Sequence, residues 1–547
     1  MYQQSFDALG GSTAWTALAA VLPLTVTFVL IGAGRLRSHQ AVGAGLLGAA
    51  AVAAGYGMPP GQVLSAAAEG AAYGLVPLTW IVVNALWIHR MTVDSGHFAV
   101  LRRSFAALSA DRRVQALVIA FCLGSLLEAL AGFGTPVALA AAMLIALGFA
   151  PFKAVTLALV ANAATAAYGA MGTPVVTLGR VTGLPADELG EVIGRQAPLV
   201  TLLVPFVLVW LTDRRRGLRE AWEPALVCGV AAGTAQVTAS ALLPVELVGL
   251  VSALTALAAV LVWARLRHRP PVGRRPVPRL IAGGSAQAAQ DMLDRARVLA
   301  RDGWRGALSA CLPYLIIVAV FGVAQTPWVH ALLHRATVGF PWPGLRLRDW
   351  QGGVPAQSVF TLEPLAGGTL LLLAGLVGVA ALRIRPGRAL RAYRDVLHQL
   401  RHSVLTVCGV LAMAYVMGLS GQTAAIGHAV AATGGAMAAL APALGWLGTT
   451  VTGSATSANA LFGSLQSAAA QATGLPVHLL AAANDAGGSL AKPISPQNLA
   501  IAAAVAELHG AEGRIFRSVV LHSAALLALL CLLVYLESTP LLSWLLP

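Results

Sequence analysis

The stretch SLLEALAGFGTPVALAAAMLIAL, residues 125–147, places a single carboxylate, Glu128, in an otherwise apolar run. Gly-Phe-Gly-Thr-Pro follows at 132–136, and glycine and proline both interrupt helices. In lipid an unpaired backbone N–H or C=O group is costly, so an interrupted helix is tolerated only where it is buried in protein or lines a cavity. The stretch therefore predicts a membrane-spanning element whose break, with Glu128 beside it, faces the protein interior.

The whole chain has the composition of a membrane protein. Of its 547 residues, 57% are hydrophobic and 11% are charged, whereas a soluble domain has about 25% charged residues. Apolar runs of about 20 residues, the length that crosses a bilayer as a helix, recur along the chain. We therefore predict an all-α integral membrane protein with about 12–14 transmembrane helices, in two structurally repeated halves whose broken or re-entrant helices meet near mid-membrane.

The positions of the basic residues predict how the chain crosses the membrane. The net charge is +14, and counting alternate loops puts about 30 of the 36 lysines and arginines on one side. Positive charge marks the cytoplasmic side. The N-terminus has no basic region and carries Asp7, which predicts a retained first span with the N-terminus and the C-terminus both outside. Because topology explains the charge, nucleic acid is not an expected partner.

Five segments are expected along the chain. They are N-terminal transmembrane helices at 1–113, a first transporter repeat with broken elements at 114–264, a basic cytoplasmic linker at 265–306, connecting helices with an external loop (325–363) at 307–403, and a second repeat with broken elements at 404–547. In the fourth segment, arginines recur at helical spacing between 387 and 402. That pattern predicts an interfacial helix on the cytoplasmic side.

An internal echo supports the two repeats. The string ANAATAAYGAMGTP (161–174) follows GFGTP in the first half, and ANDAGGSLAKPISP (483–496) follows TGSATSANALFGS (452–464) in the second. The two 14-residue strings align without gaps, so that Asn162 matches Asn484 and the final prolines coincide. Paired Gly/Pro interruptions in two halves point to a binding site, where free helix N-termini present partial positive charge to an anion.

The predicted substrate-binding residues lie around these interruptions; most are small polar residues, and the others are glycines, one phenylalanine and one lysine. They are Gly132, Phe133, Gly134, Thr135, Asn162, Thr173, Ser454, Thr456, Ser457, Asn459, Asn484, Lys492 and Ser495. Each hydroxyl alone is weak evidence, since Ser and Thr commonly bond back to their own helix. Phe133 could close an apolar wall or gate, although a Phe in such a place more often only packs. Lys492, one of two lysines in the chain, needs an anion, which is either a substrate carboxylate or a protein acid such as Asp485.

Two acids are candidates for proton coupling. An ionised carboxylate is expensive in hydrocarbon, so Glu128 is expected either to carry a proton or to cap backbone N–H groups of the break. Asp485 is the second candidate. No Walker A string, metal-ligand cluster or nucleophile–base pattern is visible in the sequence, so ATP-driven transport, a metal, a cofactor and catalysis are not expected.

Several long, ordered strings resemble one family. They are LLEALAGFGTPVA (126–138), VTGLPADELGEVIGRQ (181–196), RRGLREAWEPA (215–225), TGSATSANALFGSLQ (452–466), AANDAGGSLAKPISPQ (482–497) and SWLLP (543–547). The chain resembles the bacterial L-lactate permease family, which includes glycolate permeases. The resemblance implies symport of L-lactate and related short 2-hydroxymonocarboxylates (D-lactate, glycolate) with a proton across the bacterial inner membrane.

The chain departs from the family pattern at two positions. The family string Gly-Ser-Asp-Thr-Ser has Ala455 in place of its acid, while Asp485 stands where the family has a neutral residue. We therefore expect the carboxylate to have moved between two broken elements that meet, where Asp485 either takes part in proton coupling or balances Lys492. Arg195 and Gln196 fit the family's GRQ string; they are expected at the outer mouth or in a structural ion pair with Glu188 or Glu191.

Two other functions stay open. A sodium-coupled carrier of di- or tricarboxylates would place further cationic residues beside the breaks, and the sequence offers Lys492 there. A channel or a membrane scaffold would need neither paired breaks nor an acid inside the membrane.

Overall fold

The computed structural model describes most of the chain. The described residues are 2–5, 7–32, 38–96, 111–130, 134–267, 312–324, 326–349, 352–355, 358–365, 367–508 and 511–546. Gly132, Phe133 and most of the predicted linker at 265–306 lie outside them, as does the side chain of Thr135.

Helices dominate both halves, as predicted. Before the linker they are Thr13–Gly32, Ser38–Gly55, Pro60–Tyr73, the π-helix Gly74–Thr79, Trp80–Asp94, Arg112–Ala116, the π-helix Leu117–Leu123, Gly124–Leu130, Thr135–Ala146, Pro151–Asn162, the 3₁₀ turn Ala166–Tyr168, Gly169–Thr182, Ala186–Glu220, Trp222–Leu242 and Val245–Arg267. After it they are Leu312–Ala324, Pro327–His334, Gly367–Ala381, Pro386–Leu419, Gln422–Val430, the 3₁₀ turn Ala431–Ala436, Met437–Thr452, Ala455–Thr473, Val477–Ala491, the 3₁₀ turn Lys492–Ile494, Pro496–Val505, Glu512–Glu537 and the 3₁₀ turn Ser543–Leu545.

The lengths of these helices define a multi-pass membrane protein. Within the described ranges, 8 helices are long and apolar enough to cross a membrane, or up to 11 when each bent pair is one span. That is fewer than the predicted count, which also drew on segments outside those ranges. One bent pair, Pro151–Asn162 with Ala166–Thr182, turns by 67° at the interruption predicted from the first 14-residue string.

Short strands join distant parts of the chain at one end of the molecule. Tyr2–Gln3 pairs in parallel with Leu347–Arg348, and Val338–Pro341 pairs antiparallel with Val359–Leu362. The N-terminus and the loop at 325–363 therefore lie on one face. Away from this face, Arg113 forms ion pairs with Asp111, Asp213 and Glu220, which come from loops predicted to share the other side.

The arginine-rich stretch at 387–402 is not a separate interfacial helix. It forms the first turns of the 34-residue helix Pro386–Leu419, which crosses the segment boundary predicted at residue 403. The reason is local, because no glycine or proline lies between the last arginine, Arg401, and the apolar run that follows. The buried residues concentrate in the C-terminal part of the helix, from Val410 onward.

Glycines allow two helices of the second repeat to approach closely. A Cβ added at Gly445 would meet the backbone of Asn484, and one added at Gly487 would meet the backbone of Pro442. Small residues permit such contact between membrane helices. The helices Met437–Thr452 and Val477–Ala491 are thereby locked together, which fixes the position of the polar residues 484–485.

We predict that Gly487→Ala destabilises the protein, because its methyl group has no room against the Pro442 backbone. Overpacking of this kind costs about 1–3 kcal/mol. Gly513→Ala is the matched control, since the same helical substitution there meets nothing within 4 Å. Thermal unfolding of the detergent-solubilised variants, followed by loss of the monodisperse peak, should show a lower midpoint for Gly487→Ala alone. Equal midpoints would contradict the close packing.

Candidate functional site

Four helices begin at the interruptions, two in each half. Thr135–Ala146 starts after Gly134, which has φ 82°. Ser454 caps Ala455–Thr473 by accepting a hydrogen bond from the Ser457 N–H at 3.3 Å. Ser495 caps Pro496–Val505 in the same way through the Asn498 N–H at 3.4 Å. Each of these N-termini carries the partial positive charge that suits an anion.

The fourth N-terminus follows a left-handed turn. Ala170, Met171 and Gly172 have φ of 46°, 56° and 69°, so right-handed helix starts only at Thr173. A left-handed conformation costs a residue with a Cβ roughly 1–2 kcal/mol, and Met171 is fully buried there. The Thr173 hydroxyl donates to the Ala170 carbonyl. Strain held in place by packing in this way is typical of functional positions.

The interruptions of the two halves meet, as predicted. They meet in crossed pairs, which means that the first break of one half contacts the second break of the other. Asn459 Nδ2, one turn into the second-half helix, donates to the carbonyl of Pro174 in the first half at 3.0 Å. On the other side, a Cβ at Gly134 would lie 3.2 Å from Asn498 Oδ1. Each pair of N-termini therefore combines one from the first half with one from the second.

A buried ion pair joins the breaks at the second of these pairs. Lys492 Nζ donates to Glu128 Oε1, and Asn162 Nδ2 donates to Glu128 Oε2 at 2.7 Å. The side chains of Lys492 and Glu128 are 9% and 0% exposed. Gly169 packs against the carboxylate, since a Cβ there would meet Oε1. Lys492 is thus paired with Glu128, and not with Asp485 as the sequence also allowed.

Asp485 lies in a chain of amides next to the other crossed pair. Its Oδ1 accepts from Asn459 Nδ2 at 2.6 Å, while its buried Oδ2 has no hydrogen-bond partner among the described residues. Asn484 donates to Asn459 Oδ1 at 2.9 Å, and Gln466 donates to Asn484 Oδ1 at 3.1 Å. The amides fix one orientation of Asn459, so that one oxygen of a fully buried carboxyl group is left free to bind a proton.

A small cavity of about 20 Å³, room for about one water molecule, lies where two of the broken elements face the rest of the molecule. Thr173 comes from the first repeat and Thr456 from the second. The remaining lining residues come from the segment 78–82 and from the helix Pro386–Leu419: Leu78, Thr79, Val82, Leu400, Ser403, Val404 and Val407. The wall is mostly apolar and carries four hydroxyl side chains.

Sequence reasoning missed two buried acids, Glu69 and Glu537. Glu69 is fully buried, and neither of its carboxylate oxygens has a hydrogen-bond partner among the described residues. A count of acids inside apolar runs would have found Glu69 in the run 67–88.

Arg195 forms a structural ion pair, the second of the two expected roles. Its partner is Glu191, and it also donates a hydrogen bond to the Leu545 carbonyl. Gln196 donates to Glu537 at 2.8 Å.

The described part of the chain contains no group of three or more His, Cys, Asp or Glu side chains placed to hold a metal ion. Beside the breaks, the described residues bring together two acids, Glu128 and Asp485, and one ammonium, that of Lys492.

Apolar helices that are interrupted in both halves around buried charges define a multi-pass membrane protein of the broken-helix type that many secondary transporters use. The L-lactate permease family model matches residues 16–539, and the chain belongs to that family. It is 35% identical to the L-lactate permease of Bacillus subtilis (strain 168) over 100% of both chains. It is 33% identical to the glycolate permease GlcA of Escherichia coli (strain K12) over 95% of both. Among solved structures, Neisseria gonorrhoeae MtrF aligns with 87% of this chain and 84% of its own, at 15% identity and a TM-score of 0.46.

We predict that Lys492→Met destabilises the protein by about 3–5 kcal/mol, because it leaves a buried carboxylate without its cation. The double variant Glu128→Gln/Lys492→Met removes both charges and should unfold at a higher temperature than Lys492→Met alone. Thermal midpoints of the two single variants and the double variant measure this. Strictly additive losses would mean that the two side chains do not interact.

Proposed function

We propose that the protein imports L-lactate and related short 2-hydroxymonocarboxylates (D-lactate, glycolate) by proton symport across the bacterial inner membrane. Membership of the L-lactate permease family supports transport over catalysis and supports this substrate class. The observation that carries the coupling mechanism is the buried Glu128–Lys492 ion pair between the breaks of the two halves.

The ion pair couples substrate to proton by exchange of anions. When Glu128 is ionised, it forms an ion pair with the Lys492 ammonium, so a substrate carboxylate has no free cation to bind. Protonation of Glu128 releases the ammonium, because a neutral carboxyl no longer neutralises it. A buried ammonium without an anion is costly, so the substrate carboxylate takes the vacated position. Proton and monocarboxylate therefore bind together or not at all.

This exchange keeps the charge of the site constant. Before binding, the site holds one ammonium and one carboxylate; after binding it holds one ammonium, one neutral carboxyl and one substrate anion. Moving a lone charge across the membrane would involve about 2.3 kcal/mol per 100 mV. An electroneutral cycle avoids that barrier in both the loaded and the empty carrier.

The remaining predicted residues shape the rest of the site. The helix N-termini after Gly134, Gly172, Ser454 and Ser495 supply backbone N–H groups and partial positive charge. Thr173 and Thr456, which line the same small cavity from the two repeats, are the hydroxyls that we assign to the 2-hydroxyl of the substrate. Asn162 positions Glu128, while Asn459 and Asn484 position Asp485.

Asp485 is proposed as a second proton site. It is fully buried, and the described part of the chain gives its Oδ2 no partner. Since an ionised carboxylate in that setting would be costly, the acid is held neutral until a step of the cycle exposes it. Lys492 directly follows the helix Val477–Ala491 that carries Asp485, so a change in the charge of Asp485 acts on the ion pair through the electric field.

The topology and segment boundaries are proposed as the sequence predicts them, with both termini outside. The pairing of Tyr2–Gln3 with Leu347–Arg348 supports a shared side for the N-terminus and the loop 325–363. The Arg113 cluster with Asp213 and Glu220 supports a shared cytoplasmic side for their loops.

We expect purified protein in sealed proteoliposomes to accumulate L-lactate in response to an inward proton gradient and not to an inward sodium gradient. Glu128→Gln should abolish accumulation while exchange of external for internal lactate persists and becomes independent of pH, because the residue is fixed in its neutral form. Asp395→Asn, which changes an exposed acid, is the matched control and should behave as wild type. Accumulation driven by sodium alone would favour a sodium-coupled carrier.

For Asp485→Asn we expect a changed pH profile of lactate accumulation with the fold retained, because Asn keeps the Oδ1 acceptor for Asn459 but cannot release a proton. The initial uptake rate at a series of external pH values gives the profile. If the variant accumulates substrate against a gradient with the wild-type pH dependence, Asp485 has no part in coupling.

A further inference from the structure

A second cavity, of about 330 Å³, lies toward the face that carries the N-terminal strand and the loop predicted to be outside. Its charged lining residues are Arg180, Glu246 and Glu363, and Trp80 and Phe360 contribute aromatic surface. The proposed function assigns no role to it.

Arg180 is held in this cavity by aromatic and ionic contacts. Its guanidinium forms an ion pair with Glu363 at 3.0 Å and lies 5.4 Å from the centroid of the Tyr73 ring. The Tyr73 hydroxyl donates to the Val359 carbonyl at 3.1 Å and accepts from the Thr361 N–H at 2.7 Å. These bonds hold the strand Val359–Leu362, and so place Glu363 beside the guanidinium.

The other acid in the cavity is directed elsewhere. The Glu246 carboxylate packs against Gly367, where an added Cβ would meet it, at the first turn of the helix Gly367–Ala381. A helix N-terminus favours such a negative charge. Glu363 is therefore the lining carboxylate that pairs with the Arg180 guanidinium.

One helix face connects this outer cavity with the inner one. Val176 and Arg180 line the outer cavity, and Thr173 lines the inner cavity. The spacing i, i+3, i+7 puts all three on one side of the helix Gly169–Thr182. Opposite them runs the segment 75–82, whose Leu75 and Val76 face the outer cavity and whose Leu78 and Thr79 face the inner one.

We propose that Arg180 is an outer binding station for the incoming monocarboxylate, and that Glu363 is a built-in competitor that occupies the guanidinium until the substrate displaces it. This inference rests on the proposed function and adds a second, peripheral site to it. An anion released from Arg180 then follows the Arg180–Val176–Thr173 face toward the inner cavity.

The contacts suit reversible exchange. The side chains of Arg180 and Glu363 are 19% and 34% exposed, so a displaced Glu363 carboxylate regains water while the substrate carboxylate loses it. Partly exposed ion pairs are weak for that reason. Arg is also the side chain whose planar fork matches a carboxylate through two hydrogen bonds, and the Tyr73 ring keeps that fork oriented when Glu363 leaves.

The test is the KM for L-lactate uptake by the full-length protein in proteoliposomes. Arg180→Gln should raise KM about tenfold, since it removes a charge-assisted hydrogen bond to the substrate. Glu363→Gln should lower KM, because the competing carboxylate is gone. The double variant should match Arg180→Gln, as a competitor has no effect without its site. Arg195→Gln, which breaks another ion pair, is the matched control with unchanged KM.

A structural ion pair predicts a different pattern. Arg180→Gln and Glu363→Gln would then change KM in the same direction or lower only the amount of folded protein, and either result would overturn the inference. Normalising uptake to folded protein, measured by size-exclusion chromatography, separates these outcomes. Absence of lactate uptake by the wild-type protein would instead refute the proposed function. Wild-type uptake with KM shifts of the same sign refutes the outer station alone.

Discussion

A carboxylate and an ammonium from opposite halves of the chain, both buried, hold the interrupted helices together. Glu128 stands just before the break of the first repeat and Lys492 within that of the second. Taking either charge out of water is unfavourable unless the other is present. The pair therefore makes each half depend on the other at the point where both are broken.

The crossed arrangement of the helix N-termini follows from the same constraint. Broken backbone in a membrane needs protein partners, and here each half supplies them for the other: Asn459 bonds the Pro174 carbonyl, and Asn498 faces Gly134. The four N-termini therefore lie in two pairs, and Lys492 is paired with Glu128 beside one of them. The left-handed turn at 170–172 adds local backbone strain beside one of these pairs.

Much of this site could be predicted from the sequence, because polar and helix-breaking residues are easy to recognise within the apolar runs of membrane helices. The breaks, the match of Asn162 with Asn484, and the burial of Glu128 and Lys492 all follow from polar or helix-breaking residues in apolar runs. Partner choice could not be predicted. Lys492 and Asp485 are close in sequence, yet the 3₁₀ turn at Lys492–Ile494 and the packing of the two halves bring the lysine to Glu128 instead. The continuous helix Pro386–Leu419 and the buried Glu69 were missed for different reasons. The arginine pattern suggested a helix end near residue 403, where the sequence has no glycine or proline to stop the helix. Glu69 is a single acid and is not next to one of the Gly/Pro interruptions that marked the predicted site.

The central claim is that lactate and a proton bind together because the substrate replaces Glu128 on Lys492. The most direct measurement is the number of protons taken up per lactate bound, obtained by calorimetric titration in buffers of different ionisation enthalpy. The account predicts about one proton per lactate in the wild-type protein near neutral pH and none in Glu128→Gln. No proton uptake by the wild-type protein, or an equal uptake by the variant, would contradict it.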